Sequence, residues 1–217
     1  MTGCGTPVAS GRASDSDAPW LVASSLHLVG GKAAVTNDVL LWLDVETTGL
    51  DPFTDHLLEI AIQPTALDRE LTPLEEPFAR TLGIPPSLRL RDIAPDVLEM
   101  HSRNGLWRDC RQSGLTPEGL ARHIEGIATK WNLDSYATVA LAGRSVHFDR
   151  AWLTSVLGER EIAALHLSHR HFDLTSIKTF ATVAGVEFKV SEDAHRAELD
   201  VQEDIRLARR MLGRRGR

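Results

Sequence analysis

Two carboxylates stand one residue apart at the end of an apolar run. The stretch "LLWLDVETTGLDP", Leu40 to Pro52, carries Asp44 and Glu46 before Thr47-Thr48-Gly49 turns the chain. Residues i and i+2 of a strand face the same side, so the two acids lie side by side. Unpaired buried carboxylates are strongly disfavoured, and such groups are normally neutralised or bound to a cation. Two carboxylates at this spacing therefore point to a hard divalent ion. Mg²⁺ or Mn²⁺ suits oxygen donors better than Zn²⁺, with water and substrate phosphate completing the shell.

More oxygen ligands are then needed, and two acids qualify. Asp149 lies in "AGRSVHFDRAWL", in the first turns of a helix that follows a buried strand. Asp200 lies in "AHRAELDVQED", at the start of the last helix. Sites in open α/β sheets gather where strands end and helices begin. His195 precedes Asp200 by five residues, and histidine titrates near neutrality, as a general base should. Taken singly, each has a plainer reading: Asp149 and Asp200 as first-turn acids favoured by a helix dipole, His195 as a solvated or packed histidine.

These residues need a scaffold. Val39 to Val45 is apolar apart from Asp44, the pattern of a central strand buried on both faces. "LLEIAIQPT", Leu57 to Thr65, predicts a second strand, and "EEPFARTL", Glu75 to Leu82, a weaker third; short loops make the three an antiparallel meander. "APDVLEMH", Ala94 to His101, predicts a short helix. Thr116 is a candidate N-cap with Pro117 at the first helical position, and Leu120, Ile124, Ile127 and Trp131 mark one helical face. "ATVALAG", Ala137 to Gly143, is a buried strand, and Val146 to Leu157 a helix. "HRHFDL" ends a short strand, and Asp173 or Thr175 caps a helix reaching about Ala184. The last helix starts near His195 or Asp200, with Val201, Ile205, Ala208 and Leu212 inward. Strands first, then helices alternating with strands, predict an α/β fold: a mixed central sheet flanked by helices.

The chain has 217 residues, 42% hydrophobic and 25% charged, which suits one sizeable domain with its own core. Its net charge of −6 offers no overall basic surface for long nucleic acids. Six arginines fall between Arg206 and Arg217 with no acid among them; a cationic helix end and frayed tail, favoured by the helix dipole, is the reading preferred to a nucleic-acid contact. Cys4 and Cys110 make no disulfide framework or zinc spacing and fit a reducing, cytoplasmic setting. No apolar run approaches a membrane span. Residues 1–37, rich in Gly, Ser, Ala, Thr and Asp, read as a disordered extension. The domain is expected over 38–212, with a basic tail at 213–217.

Together, "DVETTGLDP", "GRSVHFDRAWL" and "HRAELD", in that order, resemble the three motifs of the DEDDh 3′→5′ exonuclease superfamily: D-x-E, an Asp after a buried strand, and H-x4-D. Within it, "WLDVETTGLDP", "MHSRNGLW", "GRSVHFDRAWL", "HRHFDLTSIK" and "HRAELD" resemble the oligoribonucleases most. The resemblance implies a ribonuclease-H-like exonuclease fold over about residues 38–212. It also implies hydrolysis of short oligoribonucleotides to 5′-mononucleotides with two Mg²⁺ (or Mn²⁺) ions. Asp44, Glu46, Asp149 and Asp200 would be the ligands and His195 the base. Two ions roughly 4 Å apart activate a water and stabilise the leaving 3′-oxygen. For substrate, the resemblance implies Leu50 as a wedge against a base, His101 near the scissile end, and Ser145, Arg170 and Thr175 at a terminal phosphate. It further implies a homodimer. Thr47, Arg144, Leu199, His169 and Asp96 depart from the group's usual Met, Asn, Asp, Tyr and Trp. A proofreading-type DNA exonuclease and a catalytically silent nucleic-acid-binding module are the competing readings.

Overall fold

In the computed structural model, residues 38–188 and 194–213 are described. The expected extension at 1–37 lies outside the described residues, as does the expected tail at 213–217 except for Gly213, which ends the last helix. Five strands form one sheet in the order β3-β2-β1-β4-β5. They are β1 (Asp38–Thr47), β2 (Leu57–Ala66), β3 (Phe78–Thr81), β4 (Thr138–Gly143) and β5 (Leu167–Asp173). β1, β2 and β3 pair antiparallel, as the short loops require. β4 pairs parallel with β1 and with β5, so the sheet is mixed.

The helices are α1 (Pro95–Arg103), α2 (Leu106–Gln112), α3 (Pro117–Lys130), α4 (Val146–Val156), α5 (Glu159–Ala164), α6 (Leu174–Val183) and α7 (Ala197–Gly213). Thr116 caps α3 by accepting from the Gly119 N–H, with Pro117 at its first position. Of the two caps considered for α6, Asp173 serves, accepting from the Ser176 N–H. The last helix begins at Ala197, between the two starts expected. Leu212, in the last turn of α7, is 41% exposed rather than inward, while its neighbour Met211 packs against the core.

The alternation of β1 sorts the two halves of the core. Leu41, Leu43 and Val45 face a cluster with Leu120, Ile124 and Trp152 of α3 and α4. Leu40 and Trp42 face the other side, where Val201, Ile205 and Ala208 of α7 cover the sheet. Trp42 is fully buried, donates to the Thr65 hydroxyl at 2.9 Å and meets Phe172 edge-on. Asp44 and Glu46 continue the Leu40–Trp42 series, so both carboxylates face α7.

Candidate active site

The end of β1 is held open for the acids by its neighbours. β4 ends at Gly143, with φ +152°, and a Cβ there would lie 2.8 Å from the Leu43 carbonyl. Only glycine lets β4 approach β1 so closely beside Asp44. Arg144 and Ser145 then turn the chain into α4, Ser145 in the left-handed region at φ +52°. α4 carries Asp149 back over β1, where its Oδ1 accepts from the Val45 N–H at 3.1 Å.

Asp44, Glu46 and Asp200 converge: one carboxylate oxygen from each lies within 4.8 Å of the others. Glu46, Asp149 and Asp200 are buried. Burial pushes the Asp44 carboxyl well above the usual range, and the charges of Asp149, Glu46, Asp200 and Asp204 push it further. Burial also raises Asp149 well above its ordinary value, against the pull of its own and Val45's backbone N–H groups. Mutually repelling, desolvated oxygens are the donor set a hard divalent cation relieves, and they fit Mg²⁺ or Mn²⁺. Asp200 is oriented by the loop before α7, accepting from the N–H groups of Ala194 and Arg196, each at 3.1 Å.

His195 sits on that loop with φ +50°. Its carbonyl accepts from the Asn104 side chain. The residue lines a cavity with Asp96, Glu99 and Arg103 of α1. His101 is completely buried. Its Nε2 lies 3.0 Å from the Thr47 carbonyl, so Nε2 carries the proton and donates. The same nitrogen is 3.9 Å from Glu46 Oε2. Burial lowers the His101 pKa, partly countered by the Thr47 carbonyl. His101 thus braces the end of β1 from behind Glu46.

The other substrate candidates divide. Ser145 and Thr175 meet: the Ser145 N–H donates to the Thr175 hydroxyl at 3.1 Å, and the hydroxyls are 3.3 Å apart. Arg170 is exposed on β5, with Phe172 on the same face by alternation. Leu50 projects from the loop after β1 at 83% exposure, and Phe53 beside it at 90%. That loop is closed by Asp55, which accepts from the Asp51 N–H at 3.0 Å and from the Thr48 hydroxyl at 3.4 Å. Phe53 edges a groove with Pro52, His147, Arg150 and His171.

Two buried acids at the site, Asp204 and Glu59, do not stand out from sequence. Asp204, one helical turn beyond Asp200, is buried against Arg144, whose backbone N–H and Nε reach it at 3.1 and 2.5 Å. The Arg144 Nη2 also lies 3.8 Å from Asp200. Burial pushes Asp204 up to about 6 although Arg144 opposes the shift. Glu59, near the start of β2, stands directly opposite Glu46 across the sheet. It pairs with Arg196 at 2.8 Å. An acid inside "LLEIAI" and an acid four residues after Asp200 were the available signals.

The sequence matches the model of the Exonuclease family over residues 41–208. It is 33% identical over 179 residues to the oligoribonuclease of Mycobacterium sp. (strain KMS), covering 78% of this chain and 77% of that one. It is 30% identical over 168 residues to the probable oligoribonuclease of Schizosaccharomyces pombe, covering 76% of this chain and 64% of that one. Among solved structures, Escherichia coli exonuclease I in complex with a 5cy-dA13 oligonucleotide superposes with a TM-score of 0.60 at 18% identity. That match covers 83% of this chain but 41% of exonuclease I, and shows a shared ribonuclease-H-like exonuclease fold. With the family match running from β1 into α7 and the relatives similar over most of its length, this chain belongs to the exonuclease family and to its oligoribonuclease group, enzymes that hydrolyse phosphodiester bonds.

Proposed function

We propose that the protein is a 3′→5′ exoribonuclease that shortens small oligoribonucleotides to 5′-mononucleotides. The observation that carries the reading is the convergence of Asp44, Glu46 and Asp200 within 4.8 Å, beside Asp149, at the ends of β1 and β4. These four carboxylates would hold two divalent ions. When bound, the ions supply the positive charge that an in-line phosphoryl displacement requires. Asp149, tied to the Val45 N–H, keeps a fixed place relative to Asp44. Asp200, tied to two backbone N–H groups, does the same from the side of α7. His195 takes the proton of the attacking water.

The substrate's terminal base would lie against Leu50, whose exposed side chain is ready to stack or wedge. Ser145 and Thr175, already in contact, and Arg170 on β5 would receive a terminal phosphate; a guanidinium's forked donors suit that anion. His101, enclosed behind Glu46, serves the substrate end indirectly, by fixing the Thr47 carbonyl. No helix among the described residues is long and apolar enough to cross a membrane. The buried free thiol of Cys110 agrees with a reducing cytoplasm. The working unit would be a homodimer, which light scattering on the purified protein tests.

The test of function is hydrolysis of 5′-labelled RNA of two, five and twenty nucleotides, and of matching DNA, with Mg²⁺ or EDTA, beside Asp44→Ala. Rapid Mg²⁺-dependent loss of the RNA dimer, absent in Asp44→Ala, is expected. Preference for long DNA would move the protein to the proofreading type. Absence of hydrolysis with either Mg²⁺ or Mn²⁺ would leave a binding module.

A further inference from the structure

The second buried acid of this face, Glu59, is saturated by donors. It lies opposite Glu46 on the antiparallel β1–β2 pair, so the two carboxylates share the α7 face. Its Oε1 accepts from Arg196 Nη2 at 2.8 Å and from the Thr81 hydroxyl at 3.1 Å. Its Oε2 accepts from Arg196 Nε at 3.1 Å and from the Ala197 N–H, at the start of α7, at 2.9 Å. With four donors in place, including a two-pronged guanidinium, Glu59 is committed to the protein rather than to a cation. An acid against the first N–H of a helix is also favoured by the helix dipole.

What Glu59 grips is the residue after His195. Arg196 continues outward: its Nη1 lies 3.0 Å from Asp109 Oδ2 and 3.4 Å from the Asn104 carbonyl. Asn104, the C-cap of α1, donates from its side chain to the His195 carbonyl. The peptide of His195 is therefore tied to α1 on one side and, through Arg196 and Glu59, to the first residues of β2 on the other. His195 needs such ties. A non-glycine residue in the left-handed region is strained, so a loose loop would relax to an extended conformation and carry the imidazole elsewhere.

We propose that Glu59 is a positioning residue for catalysis: by clamping Arg196 to the sheet, it fixes the backbone that presents the His195 imidazole. The proposal rests on His195 being the general base. It distinguishes Glu59 from Glu46, its neighbour of the same type and burial, by function. Glu46 lends its oxygens to the acid cluster, and Glu59 lends its oxygens to the chain that carries the base.

The test is a mutant cycle on RNA dinucleotide hydrolysis at saturating Mg²⁺, with kcat, KM and the Mg²⁺-induced rise in Tm measured for each protein. Glu59→Gln should lower kcat by roughly ten- to hundred-fold, inside the span that general bases contribute, with KM unchanged and the Mg²⁺-induced Tm rise retained, which shows that Asp200, held by α7 as well as by the Arg196 N–H, has kept its place. In a His195→Ala background the same substitution should change kcat less than about two-fold, because the group it positions is gone. Because Glu59→Gln leaves Arg196 without its charge partner and can impair folding, Glu59→Leu paired with Arg196→Leu is the second variant. It replaces a buried ion pair by apolar side chains, a change proteins often tolerate, and it should give the same kcat-only loss. Wild-type kcat in that folded variant, or an equal loss from Glu59→Gln with and without His195, would overturn the proposal. Wild-type activity of His195→Ala alone would instead remove the base from His195, a separate failure.

Discussion

Asp204→Asn isolates one buried titration. The Asp204 carboxyl is pushed from its ordinary 3.8 to about 6 in the folded protein, burial outweighing Arg144. A raised value means that the folded state binds the proton more tightly than the unfolded chain does. The resulting stability is fully present below about 3.8 and is lost as pH rises through about 6. Between pH 8 and pH 5 roughly half of the displacement is realised. At roughly 1.4 kcal/mol for each pH unit, wild type should gain on the order of 1–2 kcal/mol on acidification that Asp204→Asn does not. For a chain of this size that corresponds to a relative shift in Tm of about 3–6 °C. Other groups that titrate in this range, among them His101 with its lowered value, are present in both proteins and cancel to first order. Removing the Asp204 charge also eases ionisation of Asp44, which moves the difference in the same direction. The attraction of Arg144 is already contained in the value of about 6, and neutral Asn stands in for the protonated acid, so any remaining offset is common to both pH values. Thermal unfolding followed by circular dichroism in EDTA, at pH 5 and pH 8, measures the difference. A gap between the two proteins that is equal at both pH values, or that favours Asp204→Asn in acid, would refute the account of Asp204 as a buried, reluctantly ionised acid.

Asp44→Asn should abolish hydrolysis and the Mg²⁺-induced rise in Tm, yet raise the Tm of the metal-free protein at pH 8, since it removes a buried acid whose ionisation burial and four neighbouring carboxylates oppose; melts with EDTA and with Mg²⁺ check both halves. Gly143→Ala would set a methyl 2.8 Å from the Leu43 carbonyl at a φ that side chains rarely adopt, and should cost roughly 1–3 kcal/mol, read as a lower urea midpoint at unchanged slope. The Cys110 thiol, buried against the Leu58 carbonyl and pushed up to about 12, should resist iodoacetamide at pH 8 in the folded protein and react in urea, as peptide mapping will show.

The sheet was legible because its signals are local. An apolar β1 carrying Asp44 and Glu46 at i and i+2, a meander set by short loops, and caps at Thr116 and Asp173 need only neighbouring residues to be read. The helices that escaped notice, α2 and α5, are seven and six residues long, too short to show a period. Trp107 and Cys110 of α2 are buried against Leu58 by tertiary packing alone. Asp149 and Asp200 became distinctive only through the order of the motifs, since a first-turn acid looks the same whether or not it faces another acid. Glu59 and Asp204 show the remaining limit. Each is a carboxylate on a buried face, as Asp44 is, and nothing local separates an acid held for a cation from one held by an arginine. The partners decide: Arg196 and Arg144 are distant in sequence from the acids they meet and become their neighbours only when α7 folds onto β1 and β2. In this site Arg196 grips Glu59 and Arg144 grips Asp204, reaching Asp200 only at 3.8 Å, while Asp44, Glu46 and Asp200 turn oxygens toward one another.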